Sequence, residues 1–209
     1  MKIRNDADAI MLRDQLLSIY RAKEFSIKIK ADIIFNYRVI GSDNFASAIT
    51  LQIKEIMGSF NHGKILLQEL AGLPKKIDFI EYKTSHAASY DGFIIILHNA
   101  TTPQGNGLGR FESKSGKSLR GSFSPAMALA HELFHTGQLQ QAKFFEPHCN
   151  FLCNWTGGPW KLPKEPAAIK YTNQIRIDKN LGYVRTYHEA YGGRKVDSYA
   201  EASIRHEKK

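Results

Sequence analysis

Cysteine is almost missing: Cys149 and Cys153 are the only two in 209 residues. Four positions apart and beside His148, they make no disulfide framework, and the expectation is reduced thiols in a reducing compartment. The chain also lacks any run near the roughly 20 apolar residues that a membrane span requires. Its start, Met1-Lys2-Ile3-Arg4-Asn5-Asp6, has no signal-peptide apolar region, and Asp8, Arg13 and Asp14 interrupt the next stretch with charge. If the protein leaves its cell of origin, the expected route is one that reads no Sec-type signal. Neither an internal repeat nor a low-complexity linker divides the sequence. The expectation is one domain over residues 1–209, with 1–40 as an N-terminal extension able to carry a secretion signal.

Negative charge is comparatively scarce. With 29 Lys and Arg against 20 Asp and Glu, the formal net charge is +9. The excess sits in residues 1–40 (about +3), in Arg110 to Arg120 (about +3) and in 161–209 (about +5). A nucleic-acid groove would explain this, and so would a surface facing an acidic or phosphorylated protein. Charge alone does not choose between them.

What is present is enough for a core: 43% of residues are hydrophobic and 11% aromatic. Ile10, Leu12, Leu16, Leu17 and Tyr20 give residues 8–22 the spacing of an amphipathic helix. Phe25 to Ile40 reads as strand. Ser42 or Asp43 is placed to cap a helix running through Phe45, Ile49, Ile53 and Ile56, and a further helix from about Gly63 to Leu70 ends at Gly72-Leu73-Pro74. Ile77 to Tyr82 and Gly92 to His98 read as strands. Residues 101–122 read as a polar, glycine-rich loop long enough to be a lid. Within it, Gly105 to Gly109 lack the Lys-Ser/Thr that would come next in a phosphate-binding loop, and Arg110, Lys114, Lys117 and Arg120 could steer an acidic target. Ser124 then suits an N-cap and Pro125 the first helical position, and the helix continues to about Gln141. Pro166 opens another, through Ala168, Ile169, Ile175 and Ile177.

The chemistry lies on the helix after Pro125. His131 and His135 are four apart, so one helical turn stacks their imidazoles where both can reach one zinc ion. Glu132 is then placed to act as general base on a water that zinc has acidified toward a pKa of about 7. With 8 histidines in the chain, a chance HExxH somewhere is an event on the order of 0.016. A third protein ligand must complete the site. Gln138 and Gln141 exclude the HExxHxxGxxH form. Glu146, His148, Cys149, Glu165 and His188 remain open, with Glu165 favoured because it starts the next expected helix, as in zincins that take a glutamate from a following helix. His148, Cys149 and Cys153 are one ligand short of a separate structural site. Arg185, or Tyr187 or another side chain in 187–191, is expected to stabilise the oxyanion. Asn173 and Arg176 are candidates for support of the ligands.

Ser124-Pro125-Ala126-Met127-Ala128-Leu129-Ala130 leading into His131-Glu132-Leu133-Phe134-His135 resembles the NleD-type effector zinc metallopeptidases. A second block runs from Glu165 through Asn173, Ile175 and Arg176 to Arg185 and Tyr187 and is similar to that family's downstream glutamate, Asn-x-x-Arg and Arg-x-x-Tyr elements. Two departures stand out: Thr172 replaces an acidic residue, and the Arg185 to Tyr187 spacing is one short. The resemblance covers about residues 60–190. It implies an α+β, zincin-like fold in which a small mixed sheet packs on the active-site helix and a following helix carries the third ligand. It also implies zinc bound by His131, His135 and Glu165, and catalysis by Glu132 with Arg185 and Tyr187. The partner it implies is a host protein, a MAP kinase of the JNK or p38 type cut in its activation loop. The protein would be a monomer, injected by a type III secretion system into the host cytoplasm. Phe93 to Leu97 is expected to be the sheet edge that receives an extended substrate. Two alternatives remain: a zinc hydrolase acting on another target such as cell-wall peptide, and a basic nucleic-acid-binding protein with an incidental HExxH.

Overall fold

The computed structural model describes residues 6–58, 61–73, 76–82, 86–89, 93–100, 104–144, 164–187 and 195–207. In chain order the elements are α1 (Asp6–Ile19), β1 (Lys23–Lys28), β2 (Ile34–Ile40), α2 (Asp43–Met57), α3 (His62–Ala71), β3 (Lys76–Glu81), β4 (His86–Ser89), β5 (Phe93–His98), β6 (Gln104–Ser113), β7 (Ser118–Phe123), α4 (Pro125–Phe144), α5 (Lys164–Asp178), β8 (Tyr183–Arg185) and α6 (Tyr199–Glu207). The fold is α+β. Five strands form a mixed sheet in the order β1-β2-β3-β5-β4, and three form a second in the order β7-β6-β8. Among the described residues no helix is long and apolar enough to cross a membrane.

The five-stranded sheet is covered on both faces. Tyr37, Val39, Ile77, Phe79, Ile94 and Ile96 point to one side, where Ile49 and Ile53 of α2, Leu66 and Leu67 of α3, and Leu129 and Leu133 of α4 meet them. Ile40, Ile80, Ile95 and Leu97 point to the other, against Ala9, Leu12 and Leu16 of α1. Each fully buried Ile or Leu contributes about 1.5–3 kcal/mol of hydrophobic stabilisation. On the α1 side a buried carboxylate interrupts the apolar floor. Asp78 is wholly buried in β3 and is held by Arg13 Nε of α1 at 2.8 Å and by Arg38 of β2, Nε at 2.7 Å and the terminal nitrogen at 2.8 Å. The segment expected as an N-terminal extension thus supplies, from residue 6 on, a covering helix and two strands of the main sheet.

Three local expectations are corrected. Residues 25–40 are not one strand: the Ile29 N–H donates to Ile33 O at 2.9 Å, and the polar Lys30-Ala31-Asp32 turn folds β1 back on β2 in antiparallel register. From Gln104 onward the glycine-rich loop is a hairpin, β6 paired with β7, whose turn passes through Gly116 at φ +80°, a conformation that glycine adopts without strain. Its inner face carries Gly109, Gly121, Phe111 and Leu119. Phe93 to Leu97 is not an edge. It is flanked by β3 in parallel and β4 antiparallel, and the edge strands of the sheet are β1 and β4. The run Ile94-Ile95-Ile96-Leu97 is buried throughout because both faces of the strand are covered, as a central strand requires.

Capping agrees with the sequence where the partner is local. Ser42 Oγ accepts from the Phe45 N–H at 3.2 Å to start α2, and Glu81 binds the Ser42 N–H at 2.8 Å from across the sheet. Asn61 gives α3 no side-chain cap. The Asp178 carboxylate at the end of α5 does so instead, accepting from the His62 N–H at 2.7 Å.

Candidate metal centre

Helix α4 begins at Pro125, and Ser124 O accepts its first helical bond, from the Ala128 N–H at 3.0 Å. Ala126, Leu129, Ala130 and Leu133 are buried and lay one stripe of the helix on the core. That stripe fixes the rotation of the helix and sends His131 and His135 off one side, one turn apart. His131 is nearly buried, and Glu132 and His135 are half-buried. Thr136, fully buried, returns its hydroxyl to Glu132 O at 3.0 Å and removes a polar group from the helix interior.

The two imidazoles converge. Their Nε2 atoms are 3.1 Å apart, with ring centroids 4.6 Å apart and planes at 88°. Two neutral imidazoles meet nitrogen to nitrogen at this distance only if they share one proton or face one cation. With zinc–nitrogen distances of about 2.0–2.1 Å, this separation corresponds to an angle of about 100° at the metal, near tetrahedral. The pair therefore fits a zinc ion. For the third ligand, the backbone of Glu165 lies in the first turn of α5, and its side chain lies outside the described residues. Glu146, His148, Cys149, Cys153, His188 and Tyr191 also lie outside them.

Helix α5 lies against α4, where Tyr171 packs its ring on Phe134 at 4.7 Å between centroids. Farther along α5, Asn173 is fully buried and spans the backbone of one residue: its Nδ2 donates to Arg185 O at 2.8 Å and its Oδ1 accepts from the Arg185 N–H at 2.8 Å. The same Nδ2 donates to Asp197 Oδ2 at 2.8 Å, and Arg205 binds that oxygen from α6. Asn173 thus fixes the strand that carries Arg185 and leads into Tyr187. Arg185 Nε donates to Tyr187 O at 3.0 Å, and the guanidinium of Arg110 sits 5.1 Å from the centre of the Tyr187 ring. Arg176 is buried over the Phe111 ring at 5.8 Å. Burial, and then the neighbouring Arg185 charge, draw its pKa down to about 10, so it stays protonated at neutral pH.

The structure therefore pairs His131 with His135, sets Glu132 between them in sequence on the same helix, and joins Asn173, Arg185 and Tyr187 in one hydrogen-bonded unit. It also assembles a cluster that sequence reasoning misses. His62 Nδ1 and His206 Nε2 lie 2.9 Å and 2.6 Å from the two oxygens of Asp178. These residues are 116 and 28 positions from Asp178, so no local spacing announces them. No family model, curated protein or solved structure matches the chain.

Proposed function

We propose that the protein is a zinc-dependent, zincin-like endopeptidase, and the observation that carries this reading is the 3.1 Å approach of His131 Nε2 to His135 Nε2 on one helix. His131, His135 and Glu165 hold the metal. Zinc bound there supplies Lewis acidity to a water and to the carbonyl under attack. Glu132, one position beyond the first ligand, takes the proton from the attacking water and returns it to the leaving amine. Arg185, held at its backbone by Asn173, and Tyr187 beside it are the donors assigned to the oxyanion. An extended substrate adds to β4, one of the two edge strands of the five-stranded sheet.

The substrate class rests on the resemblance to the NleD-type effectors: a host signalling kinase of the JNK or p38 type, met in the host cytoplasm after type III injection. The exposed pair Arg110 and Arg120, directly opposite one another on β6 and β7, suits an acidic or phosphorylated chain.

The test is elemental analysis of wild type and His135→Ala beside incubation with JNK and p38 kinases, peptidoglycan, and DNA and RNA. Metal that depends on His135, with cleavage of kinase alone, supports the proposal. Cleavage of peptidoglycan instead moves the enzyme to another substrate. Salt-sensitive nucleic-acid binding without stoichiometric zinc replaces the proposal with the binding-protein alternative.

A further inference from the structure

Among the described residues, one trio of metal-ligating side chains has ligand atoms all within 4.8 Å of one another: His62, Asp178 and His206. They come from the first residue of α3, the last of α5 and the last turn of α6. Two of the three are sealed in the protein, with the side chains of His62 and Asp178 exposed by 1% and 2%, while His206 is 34% exposed and opens the cluster to solvent.

We infer that His62 Nδ1, Asp178 Oδ1 and His206 Nε2 form a second metal site, separate from the HExxH helix, for a borderline divalent cation of the zinc class. Two imidazoles and one carboxylate are a donor set that such ions take with water in the remaining position. The Asp178 carboxylate is held in place by its neighbours, with Oδ2 2.9 Å from His62 Nδ1 and Oδ1 2.6 Å from His206 Nε2. Oδ2 is engaged by the His62 N–H at 2.7 Å, which fixes the carboxylate plane and leaves Oδ1 to face His206. Tetrahedral zinc ligands stand about 3.3 Å apart, so His206 Nε2 must draw back from its present 2.6 Å. Its place in the terminal turn of α6 permits that.

Such an ion would rivet three helices at one point, and the point connects to the active-site helix. Tyr171 donates its hydroxyl to His62 O at 2.9 Å and lays its ring on Phe134, the neighbour of His135. The second ion would thus brace the wall on which the first site stands, while making no contact with substrate.

The experiment counts metal in purified protein by zinc titration and follows cobalt(II) absorption, in wild type, in the double variant His131→Ala/His135→Ala, and in that double variant with His206→Ala added. The expected result is two equivalents in wild type, one in the double variant and none in the triple variant, with circular dichroism unchanged. The thermal midpoint of the double variant should also rise with added zinc, and this rise should vanish in the triple variant. One equivalent in wild type with none in the double variant overturns the second site and leaves the HExxH reading intact. A remaining equivalent that survives His206→Ala overturns it too, because the ion then sits elsewhere. Should the triple variant fail to fold, wild type and the double variant still decide through the count and through the zinc-dependent rise, whose absence refutes the site.

Discussion

Acid should destabilise this protein through one buried imidazole. His98 ends β5, is wholly buried, and meets Gln52 Oε1 of α2 at 2.7 Å, while the Gln52 amide donates to Ala100 O at 2.8 Å. Burial lowers its pKa from 6.5 to about 4. The folded pKa lies below the unfolded one, so the folded state binds fewer protons between those values and stability falls as pH falls through that window. Relative to neutral pH, the loss is about 2 kcal/mol at about pH 5 and about 3 kcal/mol at about pH 4. Urea unfolding across this range, with chelator present so that metal release does not enter, measures the slope in wild type and in His98→Gln. Acidic groups such as Asp178 add a slope common to both proteins, so the difference between the curves isolates His98. The variant should lose about 2 kcal/mol less than wild type on going from neutral to about pH 5. Parallel curves would refute the claim that His98 is held neutral by burial.

Glu132→Ala should keep the metal content of wild type and lose hydrolysis by about 10²–10⁴-fold, read by elemental analysis beside peptide cleavage; full activity would remove Glu132 from the role of base. Asp78→Asn should cost about 3–5 kcal/mol in urea unfolding, since Arg13 and Arg38 would lose the charge that compensates them. Asn173→Ala should cost about 2–4 kcal/mol, because the N–H and carbonyl of Arg185 both lose their partner. It should also slow cleavage without lowering metal content, and a loss of zinc would instead make Asn173 a support of the ligands.

The part of the fold that can be read from the sequence is the part built on local signals. Ser42 and Pro125 mark helix starts because a cap and a first-turn proline act within a few residues. The histidine pair on α4 is legible for the same reason: its geometry is set by one turn of helix. The hairpin of β6 and β7 is hidden because its inner face is half glycine, at Gly109 and Gly121, and only Phe111 and Leu119 show the alternation of a half-buried sheet against the charged outer face. Phe93 to Leu97 is misread as an edge when its unbroken apolar run, which argues for a strand covered on both faces, is given too little weight. Asp78 with its arginines, and Asp178 with its histidines, join residues far apart in the chain. Periodicity carries no trace of such meetings.

The clasp of Asn173 on Arg185 has a consequence beyond catalysis. Among the described residues β8 pairs with β6 on one side only, so at Arg185 the outward-facing donor and acceptor would otherwise present a rung to any passing strand. One side-chain amide, offering N–H and C=O in the same relation as a peptide group, mimics that missing neighbour and stops the ladder. At that rung the β8 edge of the three-stranded ribbon is closed to another strand.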